Sequence, residues 1–213
     1  ETARFDPGNS AVMMCYDFHL AGDMPRLIEV NTNAGGSLLA YLSHNPTLPI
    51  RPESLAPKMK ARLLRTFAAE MRQFSGGSKP RPERIVIVDD EPIQQYLYPE
   101  MVAFADLFKE WGIPSEIAAP EQLEASEEGV WLNDQAVDMV YNRHCDFFLE
   151  SDAMAGLRKA YLAGKVCLTP NPHMYGLLAD KRRMVLWTDP VKRAPYLTSD
   201  QDAGILDAIQ PMS

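Results

Sequence analysis

The sequence predicts an α/β protein: a parallel sheet with helices on both sides, three layers in all, joined to a β-hairpin and helix portion. Three observations carry this prediction. The run RIVIVDD at 84–90 is short and almost continuously apolar, as a parallel strand buried on both faces must be. From there to Trp187, strand-like and helix-like segments alternate with short links, the pattern of a wound parallel sheet. Near the start, two extended runs flank Gly22 and Asp23, a turn pair that reads as a hairpin.

The elements follow in order. AVMMCYDFHL and PRLIEVN form the hairpin, turning at Ala21, Gly22, Asp23 and Met24. After glycine-rich NAGGS comes a helix over roughly 54–74. Its Leu55, Met59, Leu63, Phe67, Met71 and Phe74 recur at steps of three or four, and Ser54 is placed to cap it. Residues 75–83, SGGSKPRPE, have no periodicity and read as a flexible connector. The second block gives the strand RIVIVDD, the helix LYPEMVAFADLFKEWG closed by Gly112, and the strand SEIAAP. A small hairpin turning at Asn133 and Asp134 comes next, then the strand DMVYNRH. The helix SDAMAGLRKAYLAG, the strand KVCLTP and one last helix, HMYGLLADKRRMVLW, complete it. His173 is placed to cap that last helix.

Composition narrows the function. The 213 residues are 46% apolar and 23% charged, an ordinary globular balance with ample length for a core. The net charge of −8 comes from scattered acids, which argues against a nucleic-acid or anionic-membrane partner. No run of about eighteen apolar residues is present to span a bilayer. Cys15, Cys145 and Cys167 are far apart and form no CxxC pair, so neither a disulfide framework nor a cysteine zinc site is expected, and a reducing cytoplasm fits. His19, His44, His144 and His173 show no HExxH spacing. Opening at Glu1 and closing just after GILDAIQPM, the chain reads as a fragment.

RIVIVDDEP resembles the start of a receiver domain, where paired acids hold Mg²⁺ beside a phosphoacceptor aspartate. That reading demands an acid five residues after Asp138. The residue there is Arg143, and Asp146 comes three residues too late. Asp89 and Asp90 are therefore read as acids at a strand's end, one of them capping the adjoining loop or helix.

The segment CYDFHLAGDMPRLIEVNTNAGGS carries the most chemistry. Glu29 and Asn31 lie two apart on one strand, hence on one face, and offer hard oxygens suited to Mg²⁺. Asp17 on the preceding strand comes near that face if the strands pair. Gly35 and Gly36 let backbone amides approach a carboxylate or phosphate. A plain solvated strand face satisfies the same spacing. Arg143, at the end of a parallel strand, is placed for bidentate capture of a carboxylate, or for an ion pair with Asp146 or Glu150.

Together these motifs resemble the eukaryotic-type glutathione synthetases and the related glutathionylspermidine synthetase-like enzymes of the ATP-grasp superfamily. The likeness rests on Glu29-x-Asn31-Thr32, on MVYNRHCDFF and on LTPNPHMYGLLADKRRMVLW, in that order. It implies a pre-ATP-grasp, Rossmann-like substrate domain at 83–190. Residues 1–75 would belong to the ATP-grasp core, and 191–213 would begin a truncated return to it. It further implies Glu29 and Asn31 as Mg²⁺ ligands, Asp17, Ser37 and Arg143 at the substrate, and Lys181 at ATP. The implied reaction joins a carboxylate to an amine through an acyl phosphate made from ATP. Its partners would be a small-molecule or peptide carboxylate and an amine acceptor, with a homodimer left open. The glycine-rich phosphate loop of that family is not found in this sequence, so the piece would be incomplete on its own. The competing readings are a binding module of the same fold without catalysis, and a receiver-like switch.

Overall fold

A computed structural model describes residues 1–43, 52–207 and 209. His44 and the end of the 191–213 segment lie outside the described residues. Strands β1 (Cys15–Ala21) and β2 (Met24–Asn31) form the expected antiparallel hairpin, turning at Gly22 with φ +65°. Helix α1 (Ser37–Ser43) follows, then a 3-10 turn at Pro52–Ser54 and helix α2 (Pro57–Phe74). Ser54 is not the cap of α2. The helix starts after Ala56 with Pro57 in its first turn, where a ring-fixed φ and a missing N–H cost nothing.

The second block has four parallel strands: β3 (Ile85–Val88), β4 (Ser115–Ala118), β8 (Met139–Asn142) and β9 (Cys167–Thr169), in the order β4-β3-β8-β9. Helix α3 (Tyr98–Glu110) links β3 to β4 and ends at Gly112, φ +78°. Between β4 and β8 lies a three-stranded meander of β5 (Glu124–Ser126), β6 (Gly129–Leu132) and β7 (Gln135–Val137). Asn133 and Asp134 both have positive φ, 53° and 59°, as a two-residue hairpin loop demands. The short polar strand β5 had escaped the sequence pattern. Helix α4 (Ala155–Leu162) links β8 to β9.

Alternation along β3 sorts the layers. Ile85 and Ile87 pack with Phe67 and Met71 of α2 and with Phe104 and Phe108 of α3. Val86 and Val88 pack on the other side with Leu157 and Tyr161 of α4 and Val130 of the meander. Helix α2 thus shares its core with the second block. Residues 75–83 are hydrogen-bonded turns rather than a loose connector. The Ser75 hydroxyl accepts from the Lys79 amide, and Lys79 Nζ reaches Asp138 at 3.0 Å. The Glu83 and Arg84 amides also donate to Asp138.

The last predicted helix is broken into pieces: α5 (Pro172–Met174), a π-turn at Tyr175–Ala179 and α6 (Lys181–Thr188). Asp180 is extended, and its carboxylate accepts the Arg182 amide, which starts a new helix. Asn171, not His173, caps α5 by accepting from the Met174 amide at 3.0 Å, while His173 Nδ1 meets the Ala3 carbonyl. Helices α7 (Pro190–Arg193) and α8 (Asp200–Leu206) follow, and Ile209 makes a parallel bridge to Leu27 of β2.

Glu70 of α2 is buried at the carboxyl end of β9. It accepts from Asn9 Nδ2 and from the Thr169 hydroxyl, both at 2.9 Å, and that hydroxyl accepts the Val12 amide. Burial raises the Glu70 carboxyl above its ordinary 4.5. Its folded form therefore holds a proton more tightly than its unfolded form. The stability this contributes is present below the ordinary value and is lost as pH rises through the raised one. Glu70→Gln keeps an acceptor but removes the charge, so wild type should lose stability relative to this variant as pH rises from about 4 to 7 in urea unfolding. Glu70→Ala strands two buried donors and should cost about 2 kcal/mol at the acid end of that window, and less as pH rises.

Candidate functional site

The order β4-β3-β8-β9 reverses direction between β3 and β8. Crevices form at such a switch point, outside the carboxyl ends of the strands. A cleft of about 620 Å³ lies there. One wall is Asp89, Asp90, Arg143 and His144 from the strand ends; the other is Asn31 at the end of β2 with Asn33 and Gly35 from the loop that follows. Segments far apart in sequence thus close on one space.

Arg143 holds the walls together. Its Nη1 donates to Asn33 Oδ1 at 2.7 Å and to the Ala34 carbonyl at 3.0 Å, and Asn33 Nδ2 donates back to the Arg143 carbonyl. The residue is 8% exposed, and its guanidinium is committed to the loop rather than to Asp146 or Glu150. Asp146 instead accepts the Glu150 and Ser151 amides, which hold its carboxyl below the usual range although burial opposes them. Gly35 presses against the guanidinium and Leu97, so closely that a Cβ there would collide with both.

Of the two glycines only Gly36 brings its backbone amide to a carboxylate, and that carboxylate is the protein's own. Glu100 of α3, 3% exposed, accepts the Gly36 amide at 2.6 Å and the Leu38 amide at 2.7 Å, satisfying the first turn of α1. Glu100, Glu70 and Asn33 had not stood out as site-shaping residues. The available signal was position: both acids fall on the apolar stripes of their helices.

Asp89 is 8% exposed at the end of β3. Its Oδ1 accepts the Asp90 amide at 2.9 Å. Burial raises its carboxyl, opposed by that bond and by the charges of Arg143 and His144. His144 Nδ1 accepts the Asp146 amide at 2.9 Å, which leaves the proton of the neutral ring on Nε2.

The hairpin register sets Asp17 directly across from Glu29, with Asn31 two residues on. Two carboxylates and an amide oxygen are the hard donors Mg²⁺ takes, so the donor chemistry fits. Among the described residues no group of three or more His, Cys, Asp and Glu is gathered tightly enough to hold a metal by itself. Glu29 Oε2 meets Lys181 Nζ at 3.0 Å, so the residue expected at the metal and the one expected at ATP adjoin. Lys181, Arg182 and Arg183 crowd the positive end of α6, where cations are disfavoured by up to about 1 kcal/mol each unless an anion joins them. Tyr175 of the π-turn stacks on Phe147 of the cleft at 4.2 Å, joining this corner to the cleft. Ser37 lies apart, exposed at the start of α1, with Met13 Sδ at 3.7 Å.

No protein-family model matches the chain, and a sequence search of curated proteins finds no match. Among solved structures, it is similar to a Methylobacillus flagellatus KT protein provisionally named a gamma-glutamylcysteine synthetase. The TM-score is 0.54 at 15% identity, over 95% of this chain and 45% of the other. The likeness is one of fold. The chain spans less than half of that protein's length. No described helix is long and apolar enough to cross a membrane.

Gly35→Ala should displace the Arg143 guanidinium and cost about 1–3 kcal/mol, the usual range for overpacking. Arg143→Lys loses the Nη1 bonds to Asn33 and Ala34, because the shorter side chain stops before them, and should cost about 2 kcal/mol. In both variants, amide exchange should rise first in residues 31–37. Uniform protection with unchanged unfolding would refute the clamp.

Proposed function

We propose that the chain is the substrate-binding part of an ATP-dependent carboxylate–amine ligase of the glutathione synthetase kind. The observation that carries the reading is the composition of the switch-point cleft. A buried carboxylate, Asp89, and a buried guanidinium, Arg143, line one space together with the amide side chains of Asn31, Asn33 and Gln95. Opposite fixed charges in one crevice suit a ligand that carries both an ammonium and a carboxylate. The similarity in fold to a protein bearing a ligase name supports the same class.

In this reading Asp89 accepts the ammonium; burial raises its affinity for protons, against the pull of Arg143. Arg143 keeps Asn33 and Gly35 at the rim and supplies positive potential to the ligand's carboxylate. Asp17, Glu29 and Asn31 would hold Mg²⁺, which spreads phosphate charge when bound. Lys181, released from Glu29, would turn to a phosphate oxygen of ATP, the co-substrate that activates the carboxylate as an acyl phosphate. Phe147 and Tyr175 supply an apolar wall that keeps water from that end of the cleft. The described residues provide no second set of phosphate ligands, so activity is assigned to the longer protein and binding to this chain.

Calorimetry with a panel of free amino acids and γ-glutamyl dipeptides tests the cleft. At least one ligand should bind, and Asp89→Asn should weaken it about tenfold or more, the effect of removing a charge-assisted hydrogen bond. The N-acetylated form of that ligand should bind weakly to both proteins. Equal affinity for free and acetylated forms would reject Asp89 as the ammonium site.

The metal and nucleotide corner has its own test. Lys181→Ala should weaken Mg²⁺–ATP binding, and Glu29→Ala should reduce the dependence of that binding on Mg²⁺, both read by titration. Nucleotide affinity unaltered in both variants would leave the binding-module reading in place.

A further inference from the structure

Charge draws a ligand into a cleft, but hydrogen-bond donors and acceptors fix which ligand stays. Most of the side-chain donors that line this cleft are spent within the protein. Arg143 Nη1 is held by Asn33 and Ala34, Asn33 Nδ2 by the Arg143 carbonyl, and Gln95 Nε2 by the Asp90 carbonyl. His144 is different.

The backbone holds the His144 ring from both sides. Asn142, buried at the end of β8, accepts the His144 amide on its Oδ1 at 3.1 Å. The ring's Nδ1 then accepts the Asp146 amide at 2.9 Å, and Asp146 is itself pinned by the Glu150 and Ser151 amides. A ring nitrogen that accepts cannot carry the proton, so the neutral ring carries it on Nε2. Among the described residues no partner meets Nε2, and the ring lines the same cleft as Asp89. The two residues stand close enough for a charge on His144 to bear on the Asp89 carboxyl. A fixed donor therefore sits beside a fixed acceptor. Every residue that fixes the donor belongs to the α/β block, between Asn142 and Ser151.

We propose that His144 Nε2–H hydrogen-bonds the carboxylate of the ligand, so that the site takes an amino acid or peptide and refuses a diamine. This rests on the reading of the cleft as a site for a ligand with both an ammonium and a carboxylate. An amino-acid head offers a donor to Asp89 and, one carbon away, an acceptor to His144. A diamine offers donors at both ends. Its second ammonium would face an N–H with no lone pair to give, and a site built from one donor and one acceptor rejects a ligand that can satisfy only the acceptor. Arg143 supplies potential behind the carboxylate, and His144 supplies the bond.

Two measurements on the full chain test this. Proton–nitrogen NMR of the imidazole reads the tautomer without any ligand and should find the proton on Nε2; a proton on Nδ1 would overturn the proposal. Calorimetry then compares free amino acids and γ-glutamyl dipeptides with their carboxamide forms and with the diamine putrescine. His144→Asn places an oxygen where Nδ1 stands, so the Asp146 bond and the unfolding transition should persist while the donor into the cleft is lost. Affinity should fall about tenfold or more, as for loss of a hydrogen bond to a charged group. His144→Gln reaches with an amide N–H to where Nε2 stands and should recover most of that affinity, which a merely structural role for the ring would not allow. The loss in His144→Asn should be larger for the carboxylate form of the ligand than for its carboxamide, and putrescine should bind more weakly than the best amino acid. Unchanged affinity in His144→Asn, equal losses for the two ligand forms, or putrescine bound as tightly as the amino acid would overturn this assignment and leave Asp89 as the ammonium site. A wild type that binds no member of the panel would sink the reading of the cleft itself, and this assignment with it.

Discussion

The arrangement depends on one buried cation. Arg143 leaves the end of β8 and spends Nη1 on the loop after β2, so a guanidinium ties the hairpin to the parallel sheet. Without it, the hairpin and the sheet would meet mainly through the segment before β1, the π-turn and the Glu100 bonds to the start of α1. The cleft exists because that tie holds Asn33 and Gly35 over the strand ends. A lysine could carry the charge, but its shorter side chain ends before the position from which Nη1 reaches both a side-chain oxygen and a backbone carbonyl. Gly35 belongs to the same constraint: the guanidinium occupies the space that any side chain there would need.

Much of the fold was legible because its elements obey simple periodicities. The strand β3 shows itself by an unbroken apolar run, α2 by its stripe from Leu55 to Phe74, and the β6–β7 turn by Asn133 and Asp134. What escaped was decided by single polar side chains. A continuous helical pattern runs through 173–187, but Asp180 breaks it by offering its carboxylate to the next helix start. The glycine-rich look of 75–83 suggests looseness, yet Asp138, distant in sequence, gathers its amides. Strand β5 is too short and too acidic to register in any pattern.

The candidate site was legible in part for the same reason. Spacing put Glu29 and Asn31 on one face, and the register put Asp17 opposite Glu29. Arg143 was placed at the right strand end, but its engagement with Asn33 and Ala34 could not be read from its neighbours in sequence. Glu100 and Asp89 are the instructive cases. Each is an acid buried in a mostly apolar setting, one answered by two backbone amides and the other facing the cleft with a single amide, that of Asp90, on its Oδ1. A sequence shows where such acids interrupt an apolar pattern; only the fold shows which of them the protein answers itself.

The Glu100 contact has a consequence for ionic conditions. Because a carboxylate of the protein already takes the Gly36 and Leu38 amides at the start of α1, those two donors are closed to dissolved phosphate, sulfate or chloride. The remaining strongly basic corner, at Lys181, Arg182 and Arg183, is exposed and open to screening within a Debye length of about 10 Å at 0.1 M salt. The protein therefore separates two roles that a helix terminus often combines. Glu100 is a buried anion; Asp180 and Glu29 meet the basic corner nearer the surface, and their hold on it weakens as ionic strength rises.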